Sequence, residues 1–150
     1  MRVVIQRVSC ASVEVEGKQV SSIEKGLLIL LGITAEDGLE DIDWLIGKIT
    51  RLRIFDDEAG VMNVSAEDSG AAYIVVSQFT LHASTKKGKR PSYIRAARPE
   101  IAEPLYEAFV EKLRNSVETT VGTGVFGAYM QVSLVNDGPV TIIIDTQNKE

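Results

Sequence analysis

The chain has 150 residues, a formal net charge of −5, 45% apolar and 25% charged residues, which is the make-up of an ordinary globular protein. That length buries one proper core without disulfides or metal and predicts a single domain over residues 1–150. One Cys excludes an internal disulfide, and one His with one Cys excludes the usual N/S zinc set, so neither metal nor cofactor is expected.

The opening Met1-Arg2-Val3-Val4-Ile5-Gln6-Arg7 lacks the apolar centre of a signal peptide, and Gly26 to Ile33 is too short to span a bilayer. A cytoplasmic protein with no membrane partner is therefore expected. Arg2 to Val8 and Ser12 to Glu16 are rich in Val and Ile and read as two strands. Glu16-Gly17-Lys18-Gln19 is a hairpin turn before a third at Val20 to Ile23. Cys10, beside these strands, reads as a small buried hydrophobe. The continuous apolar run Gly26 to Ile33 fits a strand buried on both faces.

Then the period changes. Ile42, Leu45, Ile46, Ile49 and Leu52 recur at helical spacing, with acidic residues ahead of them and Lys48, Arg51 and Arg53 toward the end, as the helix dipole favours. Phe55 to Gly70 reads as a loop or short hairpin, and its Asp56-Asp57-Glu58 lacks the alternating ligands of a calcium loop. Tyr73 to Phe79 returns to strand composition. Pro99-Glu100 opens a second helix with Ile101, Leu105, Phe109 and Leu113 on one stripe and Pro104 near the first turn. Gly122 to Gly127 is a flexible approach to two last strands, Ala128 to Val135 and Val140 to Asp145. It matches neither the P-loop nor the dinucleotide glycine spacing. The order β-β-β-β-α-β-α-β-β predicts a mixed α+β fold: a curled, barrel-like, largely antiparallel sheet with two helices packed on it.

Charge is segregated along the chain. Ser69 through Pro99 contains no acidic residue but holds Lys86, Lys87, Lys89, Arg90, Arg95 and Arg98. Elsewhere ten basic residues face 21 acidic ones, a balance of −11. An anion-binding surface on an acidic protein has this pattern, and so has a solvated basic loop. The conventional catalytic groups are sparse. In an extended segment Thr80 and His82 would leave the same side, but no third group is marked as orienting the imidazole, and a lone His is more often a surface or packing residue. Asn136-Asp137-Gly138-Pro139 is a turn signal at which the chain can present backbone carbonyls instead of side chains.

Several segments together give a resemblance. They are Gln6-Arg7-Val8, Leu52-Arg53-Ile54-Phe55, Ser77-Gln78-Phe79-Thr80-Leu81, Lys87-Gly88-Lys89-Arg90-Pro91-Ser92, Phe126-Gly127-Ala128 and Asn136-Asp137-Gly138-Pro139-Val140-Thr141. In this order, from residue 1 to about 145, the chain resembles D-aminoacyl-tRNA deacylase. The resemblance implies a homodimer that hydrolyses the ester joining a D-amino acid to tRNA, and also glycyl-tRNA mischarged on the alanine acceptor. It implies a cis Gly138–Pro139 peptide entering the partner's pocket, with carbonyls gripping the substrate ammonium and Arg7 locking its orientation. Ser77, Gln78, Phe79 and Thr80 would line the pocket, with backbone N–H groups near Phe79 and Thr80 facing the ester carbonyl. Phe126 and Met130 match positions near the terminal adenine. The basic window, with Lys86, Lys87, Lys89 and Arg90, acquires the tRNA acceptor phosphates as its ligand. Whether Thr80 is a nucleophile or positions substrate stays open. Two positions depart from the family: His82, where Tyr is frequent, and Tyr93, where Phe is usual. A non-catalytic nucleic-acid-binding module and a small-metabolite esterase or deaminase are the alternatives.

Overall fold

A computed structural model describes residues 1–149, and its long first strand organises the rest. Strand β1 (Arg2–Val15) pairs along its first half with β3 (Gly26–Gly32) and along its second half with β2 (Lys18–Ile23), both antiparallel. Its other edge is covered along most of its length by β8 (Gln131–Asp145). The two strands expected at Arg2 to Val8 and Ser12 to Glu16 are thus one. The gap between them is a register shift between Val8 and Cys10, a bulge that bends the strand without ending it. Cys10 sits at that shift and is exposed, correcting the expectation of a buried thiol.

Strands β3, β6 (Ala72–Ser77) and β7 (Val121–Thr123) run parallel. Helix α1 (Leu39–Arg51) and the small hairpin β4 (Phe55–Asp56) and β5 (Met62–Val64) connect β3 to β6. A 3₁₀ turn (Phe79–His82) and helix α2 (Pro99–Ser116) connect β6 to β7. The fold is therefore mixed α+β, with a curled, mostly antiparallel sheet in the order β2-β1-β3-β6-β7 and two helices packed on it. The stretch from Gly122 to Gly127, expected to approach the last strands flexibly, overlaps β7 at Gly122 and Thr123, because Val121 to Thr123 find a free edge of β6 to pair with.

Burial follows from the curl. Leu27, Ile29, Leu31, Tyr73 and Val75 face Ile42, Leu45, Ile46 and Ile49 of α1 and Tyr106, Phe109 and Leu113 of α2. Leu28, Ile74 and Val76 face the other way, against Val8, Ala11 and Val13 of β1 and Val132 and Leu134 of β8. Burial on both faces explains the unbroken apolar run of β3, and each such side chain contributes roughly 1.5–3 kcal/mol. In α2 the buried stripe is Ala102, Tyr106, Phe109, Val110 and Leu113, while Ile101 is 42% exposed. A strict four-residue spacing drifts around a helix of 3.6 residues per turn, so the expected stripe leaves the core at its start. Pro104 falls in the second turn, not the first, and is exposed there.

Strand β8 replaces the two strands expected at the end of the chain. Gln6 pairs with Thr141 and Val8 with Asn136, so Asp137 to Val140 are extra residues looped out opposite Arg7. No helix among the described residues is long and apolar enough to cross a membrane.

Candidate active site

Two parallel strands end side by side, β3 at Gly32 and β6 at Ser77, and beyond them the sheet opens into a cavity of about 570 Å³. Clefts at the carboxyl ends of parallel strands are the usual place for a site in such sheets. Ser77, Gln78 and Phe79 form its floor, and Phe126 and Met130 its far wall. These five expected site residues are brought together although about fifty residues separate them in the chain.

The floor is fixed by main-chain bonds. Gln78 N–H donates to the Leu31 carbonyl at 2.8 Å, after which the chain leaves the sheet for the 3₁₀ turn. The first bond inside that turn runs from Leu81 N–H to the Gln78 carbonyl, at 3.3 Å. The N–H groups of Phe79 and Thr80 thus stand outside the helical bonding, as at any helix start. Phe79 is 56% exposed and meets Tyr93 edge to face, ring centroids 5.0 Å apart. Thr80 is half-buried, does not line the cavity, and accepts a hydrogen bond from the Gln78 side-chain amide. Because the strand has given way to a 3₁₀ turn, Thr80 and His82 do not share a side as they would in an extended segment. His82 is buried, the packing alternative of the two read for it.

The far wall is braced from within. Tyr106 donates its hydroxyl to the Val75 carbonyl at 2.8 Å, and its ring lies 5.8 Å from that of Phe126. Burial pushes the Tyr106 hydroxyl up to about 12, so it stays a neutral donor. The sequence reading missed Tyr93, Arg98 and Tyr129 of the lining. Arg98 had a signal: it closes the acid-free window and immediately precedes Pro99, the first residue of α2, so the positive end of that helix meets the rim.

The family model described as D-Tyr-tRNA(Tyr) deacylase matches residues 4–145. The chain belongs to this deacylase family. It is 63% identical over 150 residues to a D-aminoacyl-tRNA deacylase of Bacteroides thetaiotaomicron and 59% to one of Chromobacterium violaceum, in each case over the full length of both chains. Among solved structures, a c-Myc DNA Unwinding Element Binding Protein superposes with a TM-score of 0.92 at 42% identity, covering 97% of this chain and 99% of that one. A probable eukaryotic D-amino acid tRNA deacylase gives 0.81 at 16% identity over 95% and 97%, which is a likeness of fold. Members of the deacylase family are hydrolases of the aminoacyl-tRNA ester.

The other expected deacylase residues lie elsewhere. Gly138 and Pro139 are joined by a cis peptide, and both are exposed on the looped-out part of β8. Gly138 has φ +136, and a Cβ there would come within 2.8 Å of Val140 Cγ2 and 3.2 Å of Arg7 Nη2. Arg7 is buried. Its Nε donates to the Asp137 carbonyl at 2.9 Å and its Nη1 to the Ile54 carbonyl at 2.7 Å, with Asp56 Oδ1 3.3 Å away. Neither Gly138 nor Pro139 lines the cavity of their own chain. Met130 does, and Gly138 follows eight residues later, up to about 26 Å along an extended strand. Lys86, Lys87, Lys89 and Arg90 are exposed on a loop beside the cavity, pinched shut by paired bonds between Ser84 and Ser92 of 2.8 and 2.9 Å.

Proposed function

We propose that this protein hydrolyses the ester of D-aminoacyl-tRNA, releasing the D-amino acid and free tRNA, and that it does so as a homodimer. One observation carries the reading: a cavity with main-chain donors at its floor, no Asp, Glu, His or Lys in its lining among the described residues, and a Gly-Pro segment that is held by Arg7 and lies outside that cavity in its own chain. A second copy supplies that segment. Its carbonyls then hold the substrate ammonium, and the wall it forms leaves room for hydrogen but not for the side chain of an L-amino acid. A steric overlap is a stronger filter than a missing contact, which discriminates by only about 1–3 kcal/mol. Glycine has no side chain to exclude, so glycyl-tRNA mischarged on the alanine acceptor is also cleaved.

Water adds to the ester carbonyl, the bond to the ribose oxygen breaks, and that oxygen takes the proton. The neighbouring ribose hydroxyl assists, which is why the lining needs no base. The free N–H groups of Phe79 and Thr80 receive the oxyanion, an effect of roughly 3–4 kcal/mol per donor. Thr80, whose hydroxyl accepts from the Gln78 side-chain amide, positions the turn and is not a nucleophile. Phe126 and Met130 receive the terminal adenine. Lys86, Lys87, Lys89 and Arg90 hold the acceptor phosphates, and the setting is the cytoplasm, where aminoacyl-tRNA is used. Incubation with D-tyrosyl-tRNA, L-tyrosyl-tRNA and D-tyrosine ethyl ester tests this. Cleavage of the first alone is expected. Equal cleavage of both tRNA esters refutes chiral selection, and cleavage of the ethyl ester refutes dependence on tRNA.

A further inference from the structure

The 3₁₀ turn that offers the Phe79 and Thr80 N–H groups ends at His82, the chain's single histidine. His82 is 4% exposed, and its Nε2 is buried with no hydrogen-bond partner among the described residues. Its ring lies directly over Gly32, the last residue of β3. A Cβ on Gly32 would come within 3.1 Å of His82 Cδ2 and 3.0 Å of both the Gln78 carbonyl oxygen and Leu81 Cβ. The turn is thus seated on bare backbone, with the imidazole wedged beside it.

Arg2 holds the turn from another side. Its Nη1 donates to the Leu81 carbonyl at 2.8 Å, and its Nε and Nη2 reach Asp145 Oδ2 at 2.9 and 2.7 Å. The charged groups around His82 therefore come from the start of the chain and from the segment that follows β3. Arg2 and the Met1 ammonium, on β1 and just before it, oppose a positive imidazole, whereas Asp37, in the segment between β3 and α1, favours one. Asp37 already accepts from the Met1 ammonium, and Asp145 from Arg2, so neither carboxylate is free for a new cation. Burial lowers the imidazole below its ordinary value, only partly opposed by the polar Gly32 backbone beside it.

We propose that His82 is a positioning residue of the deacylation site: as a neutral imidazole it wedges the Phe79–His82 turn on Gly32, and on protonation it loosens the turn and switches hydrolysis off. The inference rests on the reading of Phe79 and Thr80 as oxyanion donors. It makes the acid limit of the reaction a property of this chain's own turn, in addition to any titration of the substrate ammonium.

A sole histidine gives one imidazole resonance, so its titration can be followed by NMR in the intact protein between about pH 5 and 8. The expected midpoint lies below 6.5, with the Phe79 and Thr80 amide shifts moving at the same midpoint. The single-turnover rate on saturating D-tyrosyl-tRNA falls with it while KM does not change. His82→Gln, which cannot titrate, lowers kcat several-fold at pH 8 with KM unchanged, and the ratio of wild-type to variant rate declines toward acid pH. Effects of the substrate ammonium cancel in that ratio. A midpoint at or above 6.5, amide shifts that ignore the titration, or a flat ratio overturns the proposal. If the variant does not fold, the wild-type amide shifts and rate decide it. Failure of the underlying site reading looks different: the amides still follow His82, but Phe79→Pro, which removes the floor N–H, leaves hydrolysis intact.

Discussion

The Ser77–Phe79 floor and the Gly138–Pro139 segment are the two stretches of backbone that the proposed mechanism turns toward a substrate, but they are held in place differently. The floor is built in from many sides: the parallel ladder of β3 and β6, the Gln78 to Leu31 bond, the bare backbone of Gly32 and the Arg2 contact to Leu81. The Gly-Pro segment projects into solvent and is anchored from beneath by a single buried guanidinium, together with the Asn136 side chain accepting from Val140 N–H at 2.9 Å. Distributed support tolerates single substitutions. Concentrated support does not, so the strongest perturbation of a main-chain site lies outside the cavity.

Among side-chain truncations, Arg7→Ala is accordingly expected to have the largest effect. It frees the looped-out residues and leaves the Ile54 and Asp137 carbonyls without their donor, and displacement of a positioning group by about 1 Å costs on the order of 100-fold in rate. Arg7→Lys should not rescue it, because an ammonium lacks the planar fork that reaches both carbonyls. Steady-state deacylation of D-tyrosyl-tRNA checks both. Thr80→Ala is expected to lower the single-turnover rate only about 10-fold with tRNA binding intact, in keeping with a group that positions a well-supported turn. Complete loss with intact binding would instead make Thr80 the nucleophile.

Lys87→Ala and Arg90→Ala should act more weakly, reducing affinity for any esterified amino acid alike and flattening the salt dependence of binding by about one unit of slope each. Unchanged slopes would return this loop to the class of merely solvated surface. The smallest effect expected near neutrality is on stability. Asp145 titrates below its ordinary 3.8: burial raises it, but the Gln147 N–H and the Arg2 guanidinium outweigh burial. A carboxyl depressed in the folded state contributes stability that is complete above its unfolded value and is lost as pH falls through the folded one. Thermal melts should therefore show this contribution constant from neutrality down to about pH 4 and lost below it. Asp145→Asn should shrink that acid-side loss.

Much of this contrast is legible in the sequence, for identifiable reasons. Periodicity gives α1 and the buried β3 because each satisfies one simple pattern, and the acid-free window marks the loop around Lys87 and Arg90. Periodicity does not show that β1 continues through Cys10 or that β8 continues past Gly138, because bulges keep the pairing while breaking the alternation. Nor does it give β7, whose three residues are a strand only because β6 offers them an edge. The floor residues are visible as a motif, whereas Tyr93, Arg98 and Tyr129 join the lining only through the return of the chain into α2 and β8. His82 reads ambiguously because burial, which decides its character, depends on Gly32 from a strand fifty residues away in the chain.

In the proposed dimer each cavity is completed by the other copy's Gly-Pro segment, and subunit mixing tests this directly. Phe79→Pro removes one floor N–H and should cost about 100- to 1,000-fold in rate while leaving the Gly-Pro segment intact. Arg7→Ala spoils the segment while leaving the floor intact. Refolded together in equal amounts, the two inactive variants should form mixed dimers with one complete site each and regain about a quarter of wild-type deacylation. Activity no greater than the sum of the separate variants, with mixed dimers demonstrably formed, would contradict a shared site.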